Sequence, residues 1–420
     1  MRPSVAWSPS LPADRSVLAA ALAAIALFIG SWTLLHVGFY THKQIIDTPV
    51  YQRFGNAIVR GEVPYRDFTV EYPPGALPVF AVPALVESGK DDHVTPGFRR
   101  TFEQLMWLCG AGALLAMALV LRALRRPAVQ VWPPLAFAVA APLLLGSVIL
   151  SRFDLWPAVL VAAALAALVS SRVRIGHMLL GLGVAAKLYP AVLLPLGVAY
   201  VWRRAGRREA LTCLGVAAGV IAAVFLPFVA VAPDGVWESV SGQLRRPLQV
   251  ESLGSALLLA AHHVFDAGVT GDTSHGSQNL AGGAADAVAI GSTVAQVAAL
   301  VWIWTAFARG PATGERLVCA TAAALCAFIA FGKVLSPQFL IWLIPVVPLV
   351  RGRRGLWAGT LLAAALVMTQ LWFPFRYFRL AIDFERGLSF LLLARDLTLV
   401  ALTVLLVTSL RRAATRPESP

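Results

Sequence analysis

An all-helical protein with about 10–12 membrane segments is the fold class that this sequence predicts, and three observations predict it. Of its 420 residues, 58% are hydrophobic and 14% are charged, with a mean hydropathy of +0.73. A soluble domain cannot bury that much apolar surface, so lipid must solvate most of the chain. The apolar stretches recur at lengths near the ~20 residues that cross a bilayer as a helix. Arginine clusters punctuate them: Arg122, Arg125 and Arg126; Arg172 and Arg174; Arg203, Arg204, Arg207 and Arg208; Arg309; Arg351, Arg353 and Arg354; Arg411 and Arg412. Clusters of this kind in short loops mark the cytoplasmic ends of spans. The formal net charge of +13 is thus a topological signal and argues against a nucleic-acid partner.

Taken in order, residues 1–15 and 411–420 read as disordered cytoplasmic tails around one membrane domain, 16–410. The first span, 17–39, is apolar apart from Ser31, Thr33 and His36. No short apolar core with a small-residue cleavage site precedes it, so it is expected to stay as an anchor. It rises from the cytoplasm, which puts the long loop 40–100 outside. Then 101–121 descends, 131–150 rises and 153–169 descends. Residues 175–202 have arginines on both sides yet are too short for two full crossings. Proline 190 in the sequence KLYP divides them, so a broken or re-entrant hairpin with Lys187 near its tip is expected. Such backbone survives at membrane depth only inside protein or beside a wet cavity. Beyond it, 210–231 rises, 284–307 descends, 316–331 rises, 339–350 descends, 356–373 rises and 388–410 descends. Span 339–350 is short and contains Pro345 and Pro348. Segments 75–86 and 253–264 suit half-inserted or interfacial helices. A second outer loop covers 232–283, and the Gly-, Ser-, Asp- and Ala-rich stretch 268–285 reads as a mobile loop.

Chemistry concentrates in residues 42–75, HKQIIDTPVYQRFGNAIVRGEVPYRDFTVEYPPG. A carboxylate just past the end of a span, in a loop rich in Tyr, Pro and Arg, suggests chemistry at the membrane surface. Ionisable residues near membrane depth are costly, so each invites a role. On the outer side these are Asp47, Arg53, Arg66, Asp67 and Glu71, then Arg152 and Asp154 in SRFDLWP, Lys187, Lys333 in FGKVLSPQF, and Arg376 and Arg379. A cavity holding a carboxylate and permanent cations suits an anionic, lipid-linked substrate, because arginine grips phosphate through a planar fork and lysine offers a point charge. Other readings stand beside these. Asp47, ahead of Pro49, fits a helix cap. Arg152 and Asp154 fit a mutual pair, Lys187 fits a snorkelling side chain, and Arg376 and Arg379 fit a solvated loop. Cys109, Cys213, Cys319 and Cys326 lie in apolar segments without metal-ligand spacing. The adjacent His262 and His263 diverge on a helix, and the Asp91–Asp92 pair suits plain solvation. No phosphate-binding loop, dinucleotide fingerprint or HExxH motif occurs. No metal-ligand set is evident in the sequence, and no cofactor is expected.

The segments D-x-x-x-Y-x-R-F-G, G-E-V-P-Y-R-D-F and E-Y-P-P-G after the first span resemble glycosyltransferase family 87, the DUF2029 proteins. SRFDLWP, GLGVAAKLYPAVLLP and KVLSPQFLIWLIP agree with it in the family's order. The resemblance implies a GT-C-like bundle and a transferase on the extracytoplasmic side of a bacterial plasma membrane. It implies a polyprenyl-phosphate sugar donor, typically of mannose, a glycolipid or glycan acceptor, and inversion. It gives Asp47 as the catalytic base and Lys187 and Lys333 as lipid-phosphate contacts. Tyr72, Trp156, Tyr189, Ser336 and Gln338 are further candidate substrate contacts, with Trp156 stacked on a sugar face. The histidines that mycobacterial members tend to carry near the S-P-x-x-x-x-W segment are missing after Ser336 and Pro337, so their acceptor class does not transfer. A secondary transporter or flippase of a lipid-linked or anionic substrate is the alternative. A non-catalytic assembly partner with the same fold is a third reading.

Overall fold

The computed structural model describes residues 11–41, 45–89 and 93–415. Residues 42–44 of the candidate segment and the Asp91–Asp92 pair lie outside the described residues. In chain order the helices are α1 (Leu11–Leu34), α2 (Thr48–Val59), α3 (Leu77–Val86), α4 (Pro96–Ala123), α5 (Ala128–Leu145), α6 (Leu155–Val169), α7 (Val173–Ala186) and α8 (Leu194–Val231). They continue with α9 (Pro233–Arg245), α10 (Leu253–Phe265), α11 (Gly283–Arg309), α12 (Gly314–Ala330), α13 (Gly352–Trp372), α14 (Tyr377–Ala381) and α15 (Arg386–Thr415). Among the described residues, 7 helices are long and apolar enough to cross a membrane, and shorter apolar helices stand between them. The chain is an all-α, polytopic membrane protein. Helix reaches into both expected tails, since α1 starts at Leu11 and α15 runs to Thr415.

The expected hairpin is present. The backbone breaks at Lys187, which is extended (φ −160°, ψ 137°). A 3-10 turn, Tyr189–Leu193, then carries Pro190 into α8. α8 bends again at Gly206 (φ 86°), a left-handed conformation that only glycine adopts cheaply. That bend falls between Arg203–Arg204 and Arg207–Arg208 and turns the chain back at the arginine cluster. The expected span 339–350 is not an α-helix. It runs as the 3-10 turns Pro337–Leu343 and Val347–Leu349, because Pro345 and Pro348 lack the N–H groups an α-helix needs. Leu340, Ile341, Trp342 and Leu343 in it are buried, so protein rather than lipid surrounds this irregular stretch.

The stretch 268–285 is also a correction, for it is ordered rather than a mobile loop. β2 (Thr270–Ser274) and β3 (Ser277–Ala281) form a hairpin, and β1 (Leu248–Gln249) pairs with the other edge of β3. His275 (φ 53°) and Gly276 (φ 64°) make its two-residue turn, the positive-φ pair that matches strand twist. The Asn279 amide adds a hydrogen bond to the Ser274 carbonyl at 3.0 Å.

The arginine loops meet at one end of the bundle. Arg126 binds Glu315 at 2.6 Å and the Leu349 carbonyl at 3.2 Å. Arg203 and Arg204 reach the carbonyls of Ala308 and Ala312, and Arg174 pairs with Glu209. The outer-loop residues gather elsewhere, around the break at Lys187. Gly75 fixes that junction: a Cβ there would lie 2.6 Å from the Ala185 carbonyl oxygen. Gly75→Val should therefore lower the unfolding midpoint of the detergent-purified protein, at an overpacking cost of about 1–3 kcal/mol. An unchanged midpoint would contradict this close approach.

Candidate active site

Asp47 occupies the N-cap position of α2, but its side chain makes no capping hydrogen bond. Its Oδ1 meets Nη1 of Arg152 instead, and its Oδ2 accepts from the Tyr51 hydroxyl at 3.4 Å. Asp154 begins α6, likewise without capping it. Its Oδ1 accepts from Lys187 Nζ at 2.6 Å and from Trp342 Nε1 at 2.6 Å. Arg152 and Asp154, two residues apart, thus take separate partners rather than each other. Phe153 between them is fully buried and anchors both by packing edge-on against Tyr51 and Tyr72 at 5.7 and 4.9 Å.

The two pairs differ in exposure. The Asp47 side chain is 30% exposed and that of Arg152 only 6%, so the carboxylate faces outward and the guanidinium inward. Asp154 is 1% exposed, and a carboxylate that deep is tolerable only with a cation and further donors. Lys187 supplies the charge, and aromatic faces share its environment. Its Nζ lies 4.6 Å from the Phe153 ring, 5.3 Å from Trp342 and 5.6 Å from Phe339. Trp342 is itself stacked between Tyr189 at 3.8 Å and Phe339 at 4.2 Å. The result is a rigid cation held against π faces.

The other sequence-selected residues are spread around this pair. Tyr72 packs on Phe153, and its carbonyl receives the hydroxyls of Tyr65 at 2.7 Å and Ser239 at 3.3 Å. Trp156 donates from Nε1 to the Gly75 carbonyl at 3.0 Å. Lys333 donates to the Leu244 carbonyl at 2.8 Å, and Ser336 to Gln338 at 2.7 Å, just before Phe339. Arg53 is exposed with its guanidinium 5.9 Å from the Phe54 ring, and Glu71 is exposed while its carbonyl accepts from Gln243. Arg66 and Asp67 bind each other at 2.9 Å. That bond, with one from the Val63 N–H, holds the Asp67 carboxyl down at about 2. Arg379 pairs with Glu385 at 2.7 Å. Among the described residues no three His, Cys, Asp or Glu side chains gather as a metal-ligand set.

Several residues at this site were not selected from sequence. Trp342 closes the Asp154 pair, and Tyr51 touches Asp47. Arg246, between α9 and β1, acts electrostatically on Tyr72, Lys187 and Tyr377. Glu251 acts on Arg152 and Tyr377. Trp342 had a usable signal, an indole N–H inside the otherwise apolar FLIWLIP. Arg246 and Glu251 had none, since only the sheet brings their loop inward.

Lys187→Met strands the Asp154 charge and should cost about 3–5 kcal/mol in chemical unfolding. Adding Asp154→Asn, which still accepts from Trp342 but carries no charge, should recover most of that loss. No recovery in the double variant would mean that the pair is not what holds the break.

A profile of glycosyltransferase family 87 matches residues 68–337. The match includes Tyr72, Arg152, Asp154, Lys187 and Lys333, while Asp47 precedes it. Among solved structures, the apo oligosaccharyltransferase of Archaeoglobus fulgidus aligns at 14% identity and a TM-score of 0.45, over 98% of this chain and 57% of that one. The same enzyme tethered through a disulfide to an acceptor peptide with the NVT sequon aligns at 14% identity and a TM-score of 0.45, over 96% and 56%. This chain thus spans a little over half of the length of that enzyme. No curated protein matches significantly. The profile covers well over half of the chain, and no observation favours the transporter or flippase reading. This polytopic membrane protein belongs to glycosyltransferase family 87.

Proposed function

We propose that the enzyme moves a hexose, mannose first, from a polyprenyl-phosphate sugar to a lipid or glycan acceptor on the extracytoplasmic face of the bacterial plasma membrane. Asp47 is the general base and the anomeric carbon is inverted. The observation that carries this reading is the pairing of an outward-facing Asp47 with the buried Arg152, beside Lys187. Both cations are of the kind that grips phosphate. The arginine loops meet at the other end of the bundle, and the positive-inside rule assigns that end to the cytoplasm.

Each group then has a task. The donor phosphate competes with Asp47 for the Arg152 guanidinium and draws on Lys187. Released from Arg152, Asp47 is free to accept the proton of the acceptor hydroxyl. The hydroxyl oxygen bonds to the anomeric carbon on the face opposite the phosphate, the C–O bond to phosphate breaks, and polyprenyl phosphate leaves. Charge growing on the leaving oxygen meets fixed cations in a water-poor site, where such stabilisation is large. Lys333, Tyr189, Ser336 and Gln338 are the further donor-side contacts in this reading. Tyr72, Trp156, Arg53 and Glu71 border the acceptor, and Arg66 and Asp67 serve to fold the loop.

The test is transfer of radiolabelled sugar from polyprenyl-phosphate mannose in membranes with matched levels of wild type, Asp47→Asn and Asp67→Asn. Loss of a general base predicts about a 10²–10⁴-fold slower rate for Asp47→Asn. Asp67→Asn should stay near wild type, because its carboxylate is committed to Arg66. Equal rates for wild type and Asp47→Asn would remove Asp47 from the mechanism.

A further inference from the structure

Glu251 lies between β1 and α10 with 2% of its surface exposed. Its Oε2 has no hydrogen-bond partner among the described residues. Burial pushes its carboxyl up to about 7 even though its own backbone N–H, Arg395, Arg246 and the Gln249 side chain pull it down. Above neutral pH the group is therefore a carboxylate, which accepts hydrogen bonds and donates none, so an unmet oxygen there asks for a donor.

The backbone around Glu251 is fixed from three sides. Gln249 donates its N–H to the Lys333 carbonyl at 3.0 Å, and Val250 donates to the Gln278 carbonyl at 3.0 Å. From α15, Arg395 Nη2 reaches the carbonyl of Glu251 itself at 2.8 Å. Arg395 is fully buried, paired with Asp396 at 2.9 Å and set 5.7 Å from the Trp372 ring. Charges inside a membrane helix are costly. Here the arginine reaches out of its helix to hold the segment that bears a free carboxylate oxygen.

The neighbours of Glu251 bear on what that donor is. Arg152 lies within its electrostatic reach, and so does Arg246. A phosphate held by Arg152 brings the hydroxyls of its attached sugar into that neighbourhood. Glu251 repels the phosphate itself, whereas sugar hydroxyls are donors. We propose that Glu251 contacts the sugar of the lipid-linked donor, with Oε2 accepting its hydroxyls, and that Arg395 positions it. This rests on the donor reading given above.

The experiment measures binding of polyprenyl-phosphate mannose, polyprenyl-phosphate glucose and bare polyprenyl phosphate to the full chain in nanodiscs. Wild type should bind one sugar-bearing lipid more tightly than the bare one. Glu251→Gln should weaken sugar-lipid binding by about tenfold or more, as expected for a lost hydrogen bond to a charged group, and leave bare-lipid binding unchanged. Glu251→Asp keeps the charge with a shorter reach and should fall between the two, which gives a readout even where the glutamine variant fails to fold. Wild-type sugar-lipid binding in both variants overturns the inference and leaves the donor reading standing. An equal loss for sugar-bearing and bare lipid also overturns it, as the mark of a structural role. Wild type binding neither lipid class, or both equally, overturns the donor reading and this inference together.

Discussion

The buried carboxylate of Asp154 is the constraint on which the rest of the site depends. Three irregular backbone segments meet there: the entry to α6, the break between α7 and α8, and the 3-10 stretch Pro337–Leu343. Irregular backbone at membrane depth needs protein around it. These segments meet that need by sharing one oxygen, with Lys187 and Trp342 both donating to Asp154 Oδ1 at 2.6 Å. Each break explains the next. The proline-bearing turn after Lys187 frees the lysine from a regular helix, and the proline-rich run after Trp342 lets the indole turn to the same carboxylate. Removing one donor leaves a charge that the interior does not tolerate.

From this anchor the arrangement extends outward in a graded way. Asp154 and Lys187 are held rigidly among Phe153, Tyr189, Trp342 and Phe339. Arg152, one step nearer the surface, pairs with an Asp47 that is 30% exposed. The inner pair therefore sets geometry and the outer pair can exchange partners. An anion that takes Arg152 from Asp47 is the kind of ligand such grading accommodates; in the function proposed above, that exchange would couple donor capture to release of Asp47.

Much of the fold was legible in the sequence because the bilayer imposes length and charge rules. The arginine clusters located the loop ends, and KLYP located the break. Irregular pieces were harder to read. The span at 339–350 was read from hydrophobicity, which does not separate an α-helix from buried 3-10 turns; its two prolines were the better signal. The stretch 268–285 looked loose by composition, yet His275–Gly276 makes a tight turn and Asn279 locks the hairpin. At the site, SRFDLWP gave Asp154 but not its pairing with Lys187 and Trp342, since pairing 33 and 188 residues away is a tertiary fact. In the outer loop Arg66 and Asp67, as prominent by charge as Asp47, pair with each other at 2.9 Å.

The most direct measurement is a cryo-electron microscopy structure of the protein with polyprenyl-phosphate mannose bound. The account predicts the phosphate within hydrogen-bond distance of Arg152 and Lys187. It also predicts that Asp47 is released from Arg152 and lies on the side of the anomeric carbon away from the phosphate. A phosphate seated at the arginine-cluster end, or one that leaves the Asp47–Arg152 pair intact and distant, would contradict it.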